Sequence, residues 1–419
     1  MDSVQIPLIQ GSESELDKYL HLLEKKFGLL GFCQYTSPRA TLSWLAFSVL
    51  AVALPLLSIE FSRCTSCQKL EIETFELEIL ISRAVVAAVS LLCVSRNLRK
   101  YGVRKVLFVD RCHGHMAQFR KQYVQKIRGV YCLLTSLFGV CFLLKAAREV
   151  TRIIYLHHDP WWLSVILFFA SILSWSYTTL VFLAGCALFN LVGNLQVIHF
   201  ENYGKILETD MDVQVYIEEH MNLTHDLSKI SHRFRIFLLL EFLIVTASQF
   251  MTLLQTTENQ SIINLINGGD FAVLSVVQLV GIVLCLSAAA KISHRAQSLG
   301  SIASRWHALV TCNSNDASGP GDNGGNSEFS HPVGSLTVNY SESDLESSDY
   351  TPLPTNVQLT HSTSSYHKRQ AFVTYVQSNT GGFTIFGWLV DRMLINTIFF
   401  IELSLVFFVL GKTITITTR

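Results

Sequence analysis

The chain has 419 residues, of which 50% are hydrophobic and only 15% are charged, against roughly 25% charged residues in ordinary soluble domains. Its 32 basic and 32 acidic side chains cancel to a net charge of zero. This balance argues against a nucleic-acid-binding protein, which presents a basic face, and the low charge argues against a soluble enzyme of this size. The composition predicts a polytopic membrane protein.

The apolar runs of the chain predict seven membrane spans. The first forty residues are polar, so the first run lies too deep to be a signal peptide and is expected to remain as an anchor. A spanning helix needs about 20 mainly apolar residues. The candidate spans are 41–59, 77–95, 129–144, 161–200, 236–254, 271–290 and 393–410.

Two of these runs have unusual lengths. The run 129–144 is short, and it can extend past Lys145 if that side chain snorkels to the interface. The run 161–200 would be about 60 Å long as one helix, twice the hydrocarbon thickness. Its middle, at 176–179, carries no Pro-Gly or Asn-Gly turn signal. We therefore predict one long helix that leaves the bilayer and continues as an extension packed against protein.

The distribution of Lys and Arg predicts the orientation of the spans. The segment between spans two and three contains ten basic residues against one acid, Asp110, and is expected to be cytosolic. The loop 255–270 contains no Lys or Arg and is expected to face the lumen or the outside. The N-terminus is then inside, and the sequon at Asn259 becomes a candidate glycosylation site.

Amphipathic stripes lie outside the predicted spans. Apolar residues recur at helical spacing in three segments. The stripes are Tyr216, Leu223, Leu227, Ile230 and Phe234; Leu299, Ile302, Trp306 and Leu309; and Phe372, Tyr375 and Val376. These segments form either a helical bundle on the cytosolic side or separate helices lying on the headgroups.

The serine-rich segment 312–368 is predicted to be a disordered cytosolic insert. It contains many serines, glycines and acids and no basic residue before Lys368. Its acidic serine stretch at 341–349 is either a phosphorylation site or an unregulated linker. The predicted organisation is a cytosolic segment 1–40, spans one to six with helical extensions in 41–311, the insert 312–368, and an anchor helix with span seven in 369–419.

No motif for catalysis or metal binding is complete. Gly411–Thr413 resembles the end of a phosphate-binding loop, but Val406 stands where that motif requires a glycine. Cys112–His115 contains side chains that can bind zinc, but the sequence has no second pair of such residues at the spacing that a zinc site needs. Cys64 and Cys67 form either a disulfide or two free thiols. We predict no enzymatic activity, no metal and no cofactor.

Two charged side chains near the bilayer centre are candidate functional residues. Arg83 in span two and Glu402 in span seven lie at comparable depths, where a charge costs about 2.5–3.5 kcal/mol or more. They form either a structural ion pair or part of a functional site. Glu241 lies near the inner end of span five and is expected to reach the interface.

The segment before span seven carries the most specific pattern. Residues 381–392 read Gly-Gly-Phe-Thr-Ile-Phe-Gly-Trp-Leu-Val-Asp-Arg, and 397–404 read Thr-Ile-Phe-Phe-Ile-Glu-Leu-Ser. This pattern resembles a plant family of seven-span, gustatory-receptor-like proteins that are distantly similar to insect gustatory and odorant receptors. The Thr-Tyr motif and terminal Gln-Phe pair of the insect gustatory receptors are absent from span seven.

The resemblance implies an insect-chemoreceptor-like bundle that assembles as a homotetrameric, ligand-gated cation channel. The last helix would line the pore, the cytosolic helix ends would form an anchor region, and an unknown small-molecule ligand would bind in the outer half of the spans. The alternatives are a small-molecule transporter and a non-conducting scaffold or signalling protein. The plasma membrane and the endomembranes remain equal candidates for its location.

Span seven offers two faces for such a pore. One carries Thr397, Ile401, Ser404 and Phe408, and the other carries Glu402. Because four glutamates at one depth would repel one another, we predict that the Ser404 face lines the pore and that Glu402 lies behind it.

Overall fold

The computed structural model describes residues 10–61, 70–107, 117–156, 161–207, 212–258, 265–316 and 365–417. These residues are almost entirely helical. In chain order the elements are α1 (Gln10–Leu29), α2 (Ser37–Phe47), a π-helical turn (Ser48–Ala53), α3 (Leu54–Phe61), α4 (Leu70–Val106), α5 (Ala117–Leu156), α6 (Trp161–Ile206), α7 (Val213–Glu258), α8 (Leu265–Asp316), α9 (Ser365–Ser378), β1 (Thr384–Ile385), β2 (Trp388–Leu389) and α10 (Arg392–Thr417).

Six helical segments of the described residues are long and apolar enough to cross a membrane. They are Ser37–Phe61, Glu76–Val106, Lys121–Ile154, Trp161–Ile206, Val213–Leu254 and Gly269–Thr311. The chain is therefore an all-α integral membrane protein. The prediction that 161–200 is a single helix is confirmed, since α6 runs without a break for 46 residues.

Pro55 shapes the first of these segments. A proline inside a helix has no N–H to donate and its ring clashes with the carbonyl of residue i−4, here Ala51. The chain widens into the π-helical turn directly before this point, and the Leu54 N–H bonds to the Val49 carbonyl, five residues back. The wider turn lets α2 and α3 continue as one span.

The described residues form two compact units. Unit 1 takes its residues from Met1–Leu195, Phe234–Ala288 and Arg392–Arg419. Unit 2 takes its residues from Gln196–Arg233 and Ala289–Asp391. The boundaries lie inside α6, α7 and α8, so each of these helices contributes to both units.

Aromatic side chains from the three amphipathic stripes meet in the core of unit 2, whereas Leu309, at the end of the second stripe, is 61% exposed. The rings of Tyr216, Trp306 and Phe372 lie against one another, with centroids 5.6 Å apart for Tyr216–Trp306 and 5.9 Å for the other two pairs. Tyr216 and Phe372 are fully buried. His220 and Tyr375 add an edge-on pair at 5.4 Å. Edge-to-face pairs contribute about 0.5–1.5 kcal/mol each beyond burial, so this cluster ties α7, α8 and α9 together.

The Gly-Gly-Phe segment before α10 leads into a short hairpin, which is part of unit 2 and is closed by a hydrogen bond from the Val390 N–H to the Phe383 carbonyl. Phe383 is fully buried, and its N–H donates to the Ser293 hydroxyl at 3.0 Å. The Thr384 N–H donates to the Ser231 hydroxyl at 3.3 Å. The turn residues Phe386 and Gly387 both have positive φ, 48° and 86°, as a tight two-residue hairpin turn requires. Two buried serines thus hold the hairpin at its first strand.

Two predictions about segment bounds change. Sequence analysis treated 1–40 as an undivided polar segment, but it contains helix α1, which buries Leu20, Leu23 and Phe27 on one face. The insert was placed at 312–368, but α8 continues to Asp316 and α9 begins at Ser365. Its centre, 317–364, lies outside the described residues.

Candidate functional site

Glu402 is the single acidic residue of α10. Its side chain is fully shielded from solvent, and one carboxylate oxygen accepts a hydrogen bond from the Thr246 hydroxyl of α7 at 2.5 Å. Its second oxygen, Oε2, has no hydrogen-bond partner among the described residues. This contact fixes the rotation of α10 against α7 within unit 1.

The side chains on the face of α10 opposite Glu402 are exposed to a large extent. Thr397, Ile401, Ser404 and Phe408, the predicted pore residues, are all exposed. Ile401 and Phe408 are each 47% exposed, large values for side chains of their size. At 100° per residue, Ser404 lies about 160° from Glu402 around the helix axis. The two candidate faces therefore have opposite environments.

Arg83 does not pair with Glu402. Its Nη2 donates to the Ser174 hydroxyl of α6 at 3.3 Å, and its Nε has no hydrogen-bond partner among the described residues. The guanidinium instead interacts electrostatically with Asp270 and Glu149. Of the two alternatives for Arg83 and Glu402, the structural ion pair is not formed: Arg83 contacts Ser174 and Glu402 contacts Thr246.

A buried network of three basic and three acidic side chains lies in unit 1. Lys145 of α5 is 2% exposed and bonds both Glu149, at 2.9 Å, and Asp270 of α8. Arg148 donates to Glu149 at 2.6 Å. Arg148 and Arg152 also reach Glu76 of α4, at 3.5 and 3.1 Å. The network joins α4, α5 and α8 and balances its own charge.

This network was not predicted from the sequence. The expectation that the span extends past Lys145 through snorkelling of that side chain is wrong, since the ammonium is buried against two carboxylates. A signal was present: Lys145, Arg148, Glu149 and Arg152 recur at spacings of three and four and therefore share one face of α5. Buried charges need partners, so such a face predicts complementary acids on neighbouring helices.

A cluster of uncharged polar groups joins α4, α7 and α8. The hydroxyls of Ser82 and Ser248 lie 2.5 Å apart, and the Gln278 amide donates to Ser82 at 3.2 Å. Gln249, next to Ser248, is fully buried, and neither of its amide atoms has a hydrogen-bond partner among the described residues. The Ser275 hydroxyl, one turn from Gln278, is also fully buried and has no hydrogen-bond partner among the described residues. Most buried polar groups in proteins have a hydrogen-bond partner, so these two side chains stand out among the described residues.

Glu241 departs from the expectation that it reaches the interface. It is 4% exposed, and neither carboxylate oxygen has a hydrogen-bond partner among the described residues. The side chain lies on the covered face of α7, one turn before Val245, which is fully buried. Its sequence position near a span end did not reveal which face of α7 is covered.

Other candidate positions fall outside the described residues. These are Asn259, the Cys64 and Cys67 pair, and Cys112–His115. Within the described part of the chain, no group of three or more His, Cys, Asp or Glu side chains is placed to hold a metal ion.

Comparison with known proteins assigns a family and no activity. A family model described as "Protein of unknown function (DUF3537)" matches residues 18–401, which is most of the chain. No curated protein matches the chain.

Proposed function

We propose that this chain, which belongs to the DUF3537 family, is a seven-span, homotetrameric, ligand-gated cation channel. The observation that carries the proposal is the two-sided character of α10. Its Ser404 face is exposed in the single chain, while Glu402 on the other side is held by Thr246. The resemblance of residues 381–404 to gustatory-receptor-like proteins supports the same assembly.

In this proposal α10 is the seventh span. Its 26 residues extend about 39 Å as a helix, enough to cross the roughly 30 Å hydrocarbon core with some tilt. The basic segment between α4 and α5 then places the N-terminus inside and the C-terminus outside.

If four copies of α10 surround one axis, their exposed faces would line a water-filled path. The hydroxyls of Thr397 and Ser404 would replace part of the hydration of a passing cation, and a ring of Phe408 side chains would close the path by excluding water. The Glu402–Thr246 bond would hold each helix at the rotation that keeps this face inward.

The polar cluster of unit 1 is our candidate for the ligand site. Gln249 and Ser275 are buried without protein partners in the described residues, and Arg83 has an unpartnered Nε. A small ligand with hydrogen-bonding groups would satisfy atoms that the protein leaves unsatisfied. Its binding between α4, α7 and α8 would change their packing and so bias the position of α10.

Cysteine substitution in a recorded channel tests the proposal. The purified chain is reconstituted in planar bilayers, and current is recorded from the Ser404→Cys, Phe408→Cys and Glu402→Cys variants during exposure to a small charged thiol reagent. Block of the first two variants, with Glu402→Cys unaffected, supports the assignment. Block only at position 402, in a preparation that passes cation current, contradicts it.

The buried charge network favours a transporter as the second candidate. Ion pairs inside the membrane commonly mark substrate or proton pathways, and Lys145, Arg148 and Asp270 lie in such a network. A transporter would show saturable substrate flux without unitary currents. The channel proposal predicts discrete current steps in the same bilayers.

A further inference from the structure

An apolar groove runs along the surface of unit 1 between α1, α5 and α6. It has a volume of about 870 Å³, its open mouth included. Each helix contributes apolar side chains at helical spacing. They include Leu23, Phe27, Leu134, Phe138, Leu183 and Leu188. The lining positions of α5 span residues 127–138, so the groove is about 16 Å long.

The groove opens beside the least covered span of the chain. Only 11% of the apolar window of α5 is buried inside the protein, the lowest share of the six candidate spans. Leu133 and Val140, which flank lining positions of α5, are 48% and 57% exposed. An apolar groove next to such a surface is poorly solvated by water and, in a bilayer, is filled by hydrocarbon.

One polar feature interrupts the apolar lining. The ammonium of Lys26 lies 4.3 Å from the centroid of the Tyr131 ring, and both residues line the groove. The Tyr131 hydroxyl is buried and has no hydrogen-bond partner among the described residues. The neighbouring Thr135 hydroxyl already donates to the Tyr131 carbonyl at 2.8 Å. One cation, the Lys26 ammonium over the Tyr131 ring, therefore lies in the otherwise apolar groove.

Two further basic residues lie next to lining residues in the sequence. These are Lys25 and Arg128, and both are exposed. The nearest acid on α1, Glu24, accepts the Tyr35 hydroxyl at 3.1 Å. This surround complements an anion that arrives with an apolar chain.

We propose that the groove binds one anionic phospholipid. An acyl chain lies along α5 and α6, and the phosphate accepts hydrogen bonds from the Lys26 ammonium. The proposal commits to a bilayer phospholipid rather than a free fatty acid, because the basic segment before α5 attracts an anionic leaflet to this end of the spans. It is independent of whether the protein conducts ions.

Lipid retention by the purified full chain tests this site. The protein is delipidated and offered phosphatidylglycerol and phosphatidylcholine with identical acyl chains, and bound lipid is counted by native mass spectrometry. We expect one preferentially retained phosphatidylglycerol per chain. The Lys26→Gln substitution should lower its occupancy about fivefold, equivalent to about 1 kcal/mol for one lysine near an anionic surface.

Matched variants separate the headgroup contact from the groove. Ala187→Trp fills the groove and should abolish binding of both lipids, whereas Ala147→Trp on the exposed side of α5 should not. Lys18→Gln on the exposed face of α1 is the charge control for Lys26. If Ala187→Trp fails to fold by its sizing profile, Ala184→Leu replaces it.

Three outcomes overturn the proposal. Equal retention of the two lipids, with no effect of Lys26→Gln, would show that the groove does not recognise an anionic headgroup. Retention unchanged by both groove-filling and charge variants places the lipid elsewhere. Displacement of phosphatidylglycerol by equimolar oleate would assign the groove to a free fatty acid.

Discussion

Replacing Lys145 by methionine tests the buried charge network of unit 1 most severely. Methionine keeps the length of the side chain but removes the ammonium that bonds Glu149 and Asp270. Asp270 then loses its direct partner inside the protein, and breaking a buried ion pair in this way costs about 3–5 kcal/mol. We expect the free energy of unfolding, followed by titration with a denaturing detergent, to fall by that amount.

Two comparisons isolate the cause. Lys126→Met changes the same residue type on the exposed face of α5 and should shift stability by no more than about 0.5 kcal/mol. Adding Asp270→Asn to Lys145→Met restores the charge balance and should recover about 1–3 kcal/mol through the coupling of the pair. Equal effects of the Lys145 and Lys126 variants, or strict additivity in the double variant, would refute the network.

Three further substitutions test the packing. Phe372→Ala should destabilise unit 2 by about 3–5 kcal/mol, because the fully buried ring contacts Tyr216 and Trp306; a loss below about 1 kcal/mol in thermal unfolding contradicts the aromatic core. Ser293→Ala should lower the free energy of unfolding by about 1–3 kcal/mol, because it leaves the buried Phe383 N–H without a partner. We expect faster proteolysis within 381–391 as the hairpin loosens. An unchanged cleavage rate contradicts the contact. Gly281→Ala should cost about 1–3 kcal/mol, since its Cβ would overlap the buried Phe182 ring; Gly139→Ala, where nothing lies within 4 Å, is the control.

The elements of the fold were largely predictable because they depend on local pattern. Uninterrupted apolar runs identify spans, and the absence of a turn signal at 176–179 correctly predicted that α6 is one helix. The stripes containing Tyr216, Trp306 and Phe372 identified the helix faces that pack together in unit 2. Helix α1 was missed because its three buried residues are spread over a polar segment of low average hydropathy.

The partners of the buried charges were not predictable in the same way. Depth in the bilayer suggested that Arg83 and Glu402 could meet, but depth says nothing about the rotation of each helix. In the structure Glu402 faces Thr246 and Arg83 faces Ser174. Lys145 and Glu241 were misjudged for a related reason: a residue near the end of an apolar run can reach the interface only if its face of the helix is uncovered.

Imaging of purified particles at a resolution that shows symmetry tests the central claim most directly. The channel proposal predicts four copies around one axis, with α10 nearest the axis, Ser404 facing it and Glu402 directed away. A monomer or dimer, or a tetramer in which Glu402 faces the axis and Ser404 faces lipid, would contradict the account.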